Sequence, residues 1–212
     1  MAVGKAIRRR RRPCAWATPR SALALSAAPF ATNVEPAALK SWLDDSLLPL
    51  ETFPWANNAL VVRSGGQTIL IDSGVGAAYP DFPQAGRLAM RLEAAGIDPG
   101  SVTDAVITHM HMDHVGGLLV DGLRSRLRAD LRVYVAATEV EFWESPDFSQ
   151  TDMPQAIPDV LRETARRFVD AYRSELRLFE REHMVAPGCS YVTPAATPPG
   201  TAWSGWRPAA TG

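Results

Sequence analysis

Three of the four histidines in this chain fall within six residues, His109, His111 and His114, with Asp113 beside the last of them. Imidazole nitrogens and carboxylate oxygens are the donors that zinc and similar divalent metals take. The cluster directly follows residues 102–108 (VTDAVIT), an apolar run expected to be a buried strand. A chain leaving a strand points alternate side chains the same way, so His109 and His111 can share one ion. Asp113 and His114 come just beyond, where the chain turns, and can face a neighbouring ion. Two metals held about 3.5–4 Å apart polarise a substrate oxygen and activate a bridging water. Asp113 would then bind metal or serve as the base that holds that water. A lone histidine usually reads as a surface residue. Three histidines and an aspartate at this spacing, immediately behind an apolar strand, argue for a metal site. Gly116 and Gly117 allow close backbone approach as a short helix begins.

The flanking sequence supplies elements to position this cluster. Residues 35–45 read as a short helix, with Pro36 in its first turn and Leu39, Trp42 and Leu43 on one face. Residues 59–63 (ALVVR) and 67–72 (QTILID) read as two strands joined at Ser64, Gly65 and Gly66, a β-hairpin. Residues 87–95 read as a helix stopped by Gly96. Residues 131–135 alternate as a half-buried strand, and 138–143 read as a helical turn with Thr138 and Glu141 spaced as a capping box. Residues 157–179 read as one long amphipathic helix, carrying Ile157, Leu161, Phe168, Tyr172, Leu176 and Phe179 at helical spacing. It would cover a sheet or cleft, or cap a substrate site. Residues 191–193 read as a strand. The order is β-β-α-β-α-β-α, an α/β layered domain.

Composition sets the outer limits. With 46% hydrophobic and 21% charged residues, the 212-residue chain is globular and large enough for about one domain. No apolar run approaches the roughly 18 residues that span a membrane. Two cysteines, Cys14 and Cys189, exclude a disulfide framework and a Cys-rich zinc module. Lys5, Arg8 to Arg12 and Arg20 place +7 in residues 1–34, which hold no acid, so a net charge of −1 leaves −8 for the rest. An acidic body argues against nucleic acid as a partner. The basic leader is expected to be disordered. Alternatives are an export signal, with residues 21–28 as its apolar part, a basic surface patch, or a misassigned start. The expected location is the cytoplasm, with export as the alternative.

At this point the residues resemble a family. Residues 108–117 (THMHMDHVGG) match the H-x-H-x-D-H signature of the metallo-β-lactamase fold superfamily. Residues 69–76 (ILIDSGVG) resemble that fold's strand-ending aspartate–glycine motif, with Asp72 at its aspartate. Residues 58–68 (NALVVRSGGQT), the Asp121–Gly122 pair and residues 137–143 (ATEVEFW) resemble the branch holding methyl parathion hydrolase-like enzymes and N-acyl-homoserine lactonases. The likeness runs over roughly residues 57–188. It implies an αββα sandwich, of which the first half to two-thirds is expected here. The domain would occupy residues 35–200, with a helical cap segment at about 154–182 and an unstructured tail at 201–212.

The resemblance implies His109 and His111 as ligands of a first Zn²⁺ and Asp113 and His114 as ligands of a second, other divalent metals being alternatives. It implies Asp72 as a carboxylate supporting the histidine loop from behind, against a plain turn-forming role. The implied reaction is hydrolysis, with metal-bound hydroxide attacking a small-molecule ester, lactone or phosphotriester (an organophosphate). Neither a membrane nor a nucleic acid is an expected partner, and an oligomer stays open. The family completes its site with a later histidine, an aspartate and a last histidine. Residues 196–201 (ATPPGT) lie where the first of these belongs and hold no histidine. His183 is expected to be solvated and Cys189 to be a small buried residue. With two ligands for each metal, the sequence leads to an expectation of weak metal affinity. A truncated product, a catalytically inactive remnant acting as a weak metal binder or interaction module, is the alternative to an active hydrolase. An apolar sheet face is expected to lack part of its cover.

Overall fold

The computed structural model describes residues 16–17, 21–26, 34–50, 52–77, 85–149, 156–192 and 205–207. In chain order the strands and helices are β1 (Trp16–Ala17), β2 (Ser21–Ser26), α1 (Pro36–Asp45), β3 (Thr52–Asn57), β4 (Leu60–Ser64), β5 (Gln67–Ile71), α2 (Leu88–Ala94), β6 (Asp104–Val106), α3 (Met112–Val115), α4 (Leu123–Arg126), β7 (Arg132–Ala136), α5 (Ala137–Glu144), α6 (Ala156–Tyr172), β8 (Leu176–Phe179), β9 (Glu182–Ala186), β10 (Cys189–Val192) and β11 (Gly205–Arg207). One sheet runs in the order β1-β4-β5-β6-β7-β8. The β4–β5 hairpin is antiparallel, as the Gly65–Gly66 turn predicts, and β5, β6, β7 and β8 are mutually parallel. A second sheet joins β9, β10 and β11, and β2 pairs with β3.

Strand alternation sorts the apolar side chains into two cores. Leu70, Ala105, Val133 and Val135 face one way, into a core with Leu92, Val115, Leu118, Leu161, Phe168 and Tyr172. Ile69, Val106, Tyr134 and Ala136 face the other way and meet Val185, Ala186, Cys189 and Tyr191 of β9 and β10. The expected bare sheet face is therefore corrected among the described residues: the β9–β10 hairpin folds back across it. Covering large aliphatic side chains contributes roughly 1.5–3 kcal/mol each, and that gain holds the hairpin down. Strand β7 is buried along most of its length rather than half-buried, because parallel neighbours and both cores enclose it.

Three further expectations are revised. The long helix ends at Tyr172, and Leu176–Phe179 is the edge strand β8, paired parallel to β7. Leu176 and Phe179, three residues apart, continue the helical spacing of α6 by coincidence. Tyr172 ends the helix buried, its hydroxyl donating to Leu118 O at 2.8 Å. In α1, Pro36 stands in the first turn as expected, but Leu43 is buried whereas Trp42 is exposed. Helix α5 begins one residue earlier than expected, with Ala136 as its cap residue and no side-chain cap hydrogen bond, so the Thr138–Glu141 capping box does not form. Strands β1 and β2 lie within the basic leader and β11 within the C-terminal tail. Cys14 and residues 196–201 fall outside the described residues.

Candidate metal centre

The parallel strands β5 and β6 end side by side, and the loops leaving them carry the candidate residues. After β5, Asp72 adopts a left-handed backbone with φ of 54°, which aspartate tolerates better than most residues. This bend turns its carboxylate onto the neighbouring strand end. Asp72 Oδ1 accepts from Thr108 N at 2.8 Å, and Oδ2 accepts from Thr108 Oγ1 at 2.7 Å. The same Oδ2 lies 2.8 Å from His114 Nδ1. Both readings of Asp72 therefore meet in one residue: it turns the chain and braces the histidine loop.

The structure brings His109, His111, Asp113 and His114 together. The His109 ring centroid is 4.6 Å from that of His111 and 3.8 Å from that of His114. Asp113 Oδ2 is 3.4 Å from His114 Nε2. His111 caps helix α3 in an extended conformation, so Asp113 and His114 occupy the helix's first turn instead of a loop. Gly116–Leu119 then continue as a 3-10 turn, which places the helical start four residues before the expected one.

The hydrogen bonds also settle which ring nitrogens face the cluster. Thr108 Oγ1 donates its proton to Asp72, so toward His109 Nδ1, 3.2 Å away, it acts as an acceptor. His109 thus carries its proton on Nδ1 and presents Nε2. His114 likewise directs Nδ1–H at Asp72 and presents Nε2. Burial, together with the neighbouring His114 and His111, lowers the His109 pKa to about 3 and keeps that ring neutral. Burial opposes charge on His114, but the hydrogen bonds to Asp113 and Asp72 outweigh it and raise that pKa to about 10. Burial would raise Asp113 as well, yet its contact with His114 holds the carboxyl at about 2.

The neutral imidazole of His109 and the ionised carboxylate of Asp113 are donor chemistry a zinc-like ion takes, and His114, charged in the metal-free chain, would give up its Nε2 proton on ligation, so the residues fit such a metal in kind. They do not close a site by themselves. Among the described residues, no three His, Cys, Asp or Glu side chains already form a group that could hold an ion. His183 and Cys189 do not join them. His183 lies on β9, half-buried and stacked on Tyr134 at 4.5 Å, and Cys189 is buried in the second core.

Two supporting residues were not foreseen. Glu139 on α5 is buried, and its Oε1 accepts from Met110 N and Trp143 Nε1, each at 2.8 Å. It holds the backbone between His109 and His111, while the Trp143 ring packs edge-on to His111 at 5.8 Å. Sequence placed Glu139 on a helical turn, but nothing in its spacing linked it to residue 110. Removing the acceptor leaves two buried donors unmet. Glu139→Ala is expected to cost about 3 kcal/mol in urea unfolding, and Glu139→Gln, which keeps a carbonyl acceptor, markedly less. The second residue is Asn57, whose Nδ2 donates to Asp113 Oδ2 at 2.8 Å.

Comparison with known proteins identifies the family and the fold. The family model described as metallo-beta-lactamase superfamily matches residues 52–202. No curated protein matches the sequence. Among solved structures, AidC, a dizinc quorum-quenching lactonase in complex with a product, superposes with a TM-score of 0.71 at 21% identity, covering 85% of this chain and 62% of that one. The hydrolase AbOPH of the beta lactamase superfamily gives a TM-score of 0.73 at 22% identity, covering 89% of this chain and 64% of that one. The chain thus spans less than two-thirds of the length of either structure. At these identities the likeness establishes the fold, a mixed α/β arrangement. The family model spans the candidate donors, and the chain belongs to the metallo-beta-lactamase superfamily.

Proposed function

We propose that this chain carries the histidine-loop portion of a metal-dependent hydrolase acting on a small-molecule ester, lactone or phosphotriester. The observation that carries the reading is the gathering of His109, His111, Asp113 and His114 over Asp72 and Thr108. When bound, a divalent metal supplies Lewis-acid polarisation of the scissile centre and acidifies the attacking water. The residues of the chain do the rest. His109 presents Nε2 because Thr108 holds its Nδ1 proton, and His114, held through Nδ1 by Asp72, would free Nε2 by releasing the proton it shares with Asp113. Asp113, ionised, binds the metal or accepts a proton from the attacking water. A lactone is the leading substrate class, supported by AidC, whose solved complex holds the product N-hexnoyl-L-homoserine.

A second reading, a weak metal binder without turnover, is supported by the absence of a closed three-donor group among the described residues. Zinc titration of the 212-residue chain by calorimetry, paired with lactone, ester and phosphotriester assays, separates the two. We expect weak zinc uptake that is lost in His111→Ala, with little turnover by the isolated chain. Zinc-dependent lactone opening that disappears in His111→Ala would establish the hydrolase. A chain that takes up no zinc would sink the metal reading.

A further inference from the structure

Asn57 closes strand β3 at the mouth of the donor cluster, 56 positions before the carboxylate it touches. The residue is 7% exposed. The Nδ2 group donates to Asp113 Oδ2 at 2.8 Å, and the facing atom must be the amide nitrogen, since an amide oxygen would meet the carboxylate acceptor to acceptor. Its Oδ1 is also buried and finds no hydrogen-bond partner among the described residues. A buried carbonyl oxygen without a partner costs folding free energy, so what recommends an amide here is its other end, the charge-assisted bond from Nδ2 to the Asp113 carboxylate.

We infer that Asn57 is a positioning residue that fixes the carboxylate of Asp113 by holding Oδ2, so that the carboxylate meets a metal in one orientation. The inference rests on the metal-site reading of Asp113. The other close polar partner of the Asp113 carboxylate is His114 Nε2, at 3.4 Å and from the same short helix. The Asn57 amide comes from a different sheet segment than helix α3, so it ties the carboxylate to β3 as well as to its own helix. A donor fixed in advance loses less freedom on ligation than one that must be ordered by the metal.

Cobalt(II) provides the test, because its visible d–d bands report ligand number and geometry as well as occupancy. The 212-residue chain, Asn57→Leu, Asn57→Ala, Asp113→Ala and the Asn57→Leu/Asp113→Ala double variant are titrated with Co²⁺, and circular dichroism checks that each is folded. Asn57→Leu is expected to bind Co²⁺ about 10–100-fold more weakly, the usual effect of removing support behind a ligand, and with altered band intensities. Asn57→Ala, which removes the donor without adding a charge or a ligand, should show the same loss. In the Asp113→Ala background, Asn57→Leu should have no further effect, because its influence runs through that carboxylate. Equal titrations for the unaltered chain and Asn57→Leu, or the same loss in both backgrounds, would overturn the inference alone. An unaltered chain that takes up no Co²⁺ would overturn the metal reading and the inference with it. Should Asn57→Leu fail to fold, Asn57→Ala and its Asp113→Ala combination decide the matter by the same comparison.

Discussion

Gly117→Ala is expected to leave the chain largely unfolded, or to destabilise it by at least about 4 kcal/mol. A Cβ at residue 117 would overlap the Ser73 carbonyl oxygen outright and come within 2.7 Å of the carbonyl carbon. Both are backbone atoms, so no flexible side chain can swing aside. The two segments are also stitched together at this point. Ser73 N donates to His114 O at 2.7 Å, Gly117 N to Gly74 O at 2.8 Å, and Leu118 N to Ser73 Oγ at 3.2 Å. Making room for one methyl group means separating the Asp72 loop from the histidine helix. Gly122→Ala is the control: its φ is 76°, but nothing lies within 4 Å of the added atom, so the cost should be about 1 kcal/mol. Soluble yield and thermal melting by circular dichroism measure both. A Gly117→Ala chain that melts like Gly122→Ala would show that these loops do not pack as described.

Asp72→Ala should produce the second largest effect, a loss of roughly 3–5 kcal/mol accompanied by a drop of about 10–100-fold in zinc affinity. Three groups lose their acceptor at once: Thr108 N, Thr108 Oγ1 and His114 Nδ1. Alanine is also a poor occupant of a backbone with φ of 54°. Asp72→Asn keeps the tolerance for that conformation and one acceptor oxygen while losing the charge, so it should fall between the two. Denaturant unfolding and zinc titration of the three chains give the order. Equal stability of Asp72→Ala and the unaltered chain would refute the bracing role.

The contrast among these residues shows what sequence could convey. The spacing His109, His111, Asp113, His114 is local, and a local pattern behind a strand can be read directly. Asp72 is 36 positions from Thr108 but ends a recognisable strand, so its motif was legible too. Asn57 and Glu139 were not. Each acts across a contact between separate elements, and no periodicity or motif within its own segment encodes the partner. The error at residues 172–179 has a different origin. Apolar residues three and four apart satisfy a helix, and only the pairing of β8 with β7 overrides that local preference. The cover over the second core was missed for a similar reason: a short, proline-flanked hairpin reads as loop until a sheet face is there to hold it.

The parallel run β5-β6-β7-β8 also has a consequence for how the molecule comes into being. Each parallel pairing needs a crossover, and each crossover pays its loop-closure entropy before any contact repays it. The β4–β5 hairpin is the local piece and can form early, whereas Asp72 meets Thr108 only once β6 has docked beside β5. Until then β5 presents an open apolar edge on which other chains can grow. Refolding is therefore expected to slow and to lose yield as protein concentration rises, with the amides of β6 and β7 acquiring hydrogen-exchange protection later than those of the hairpin.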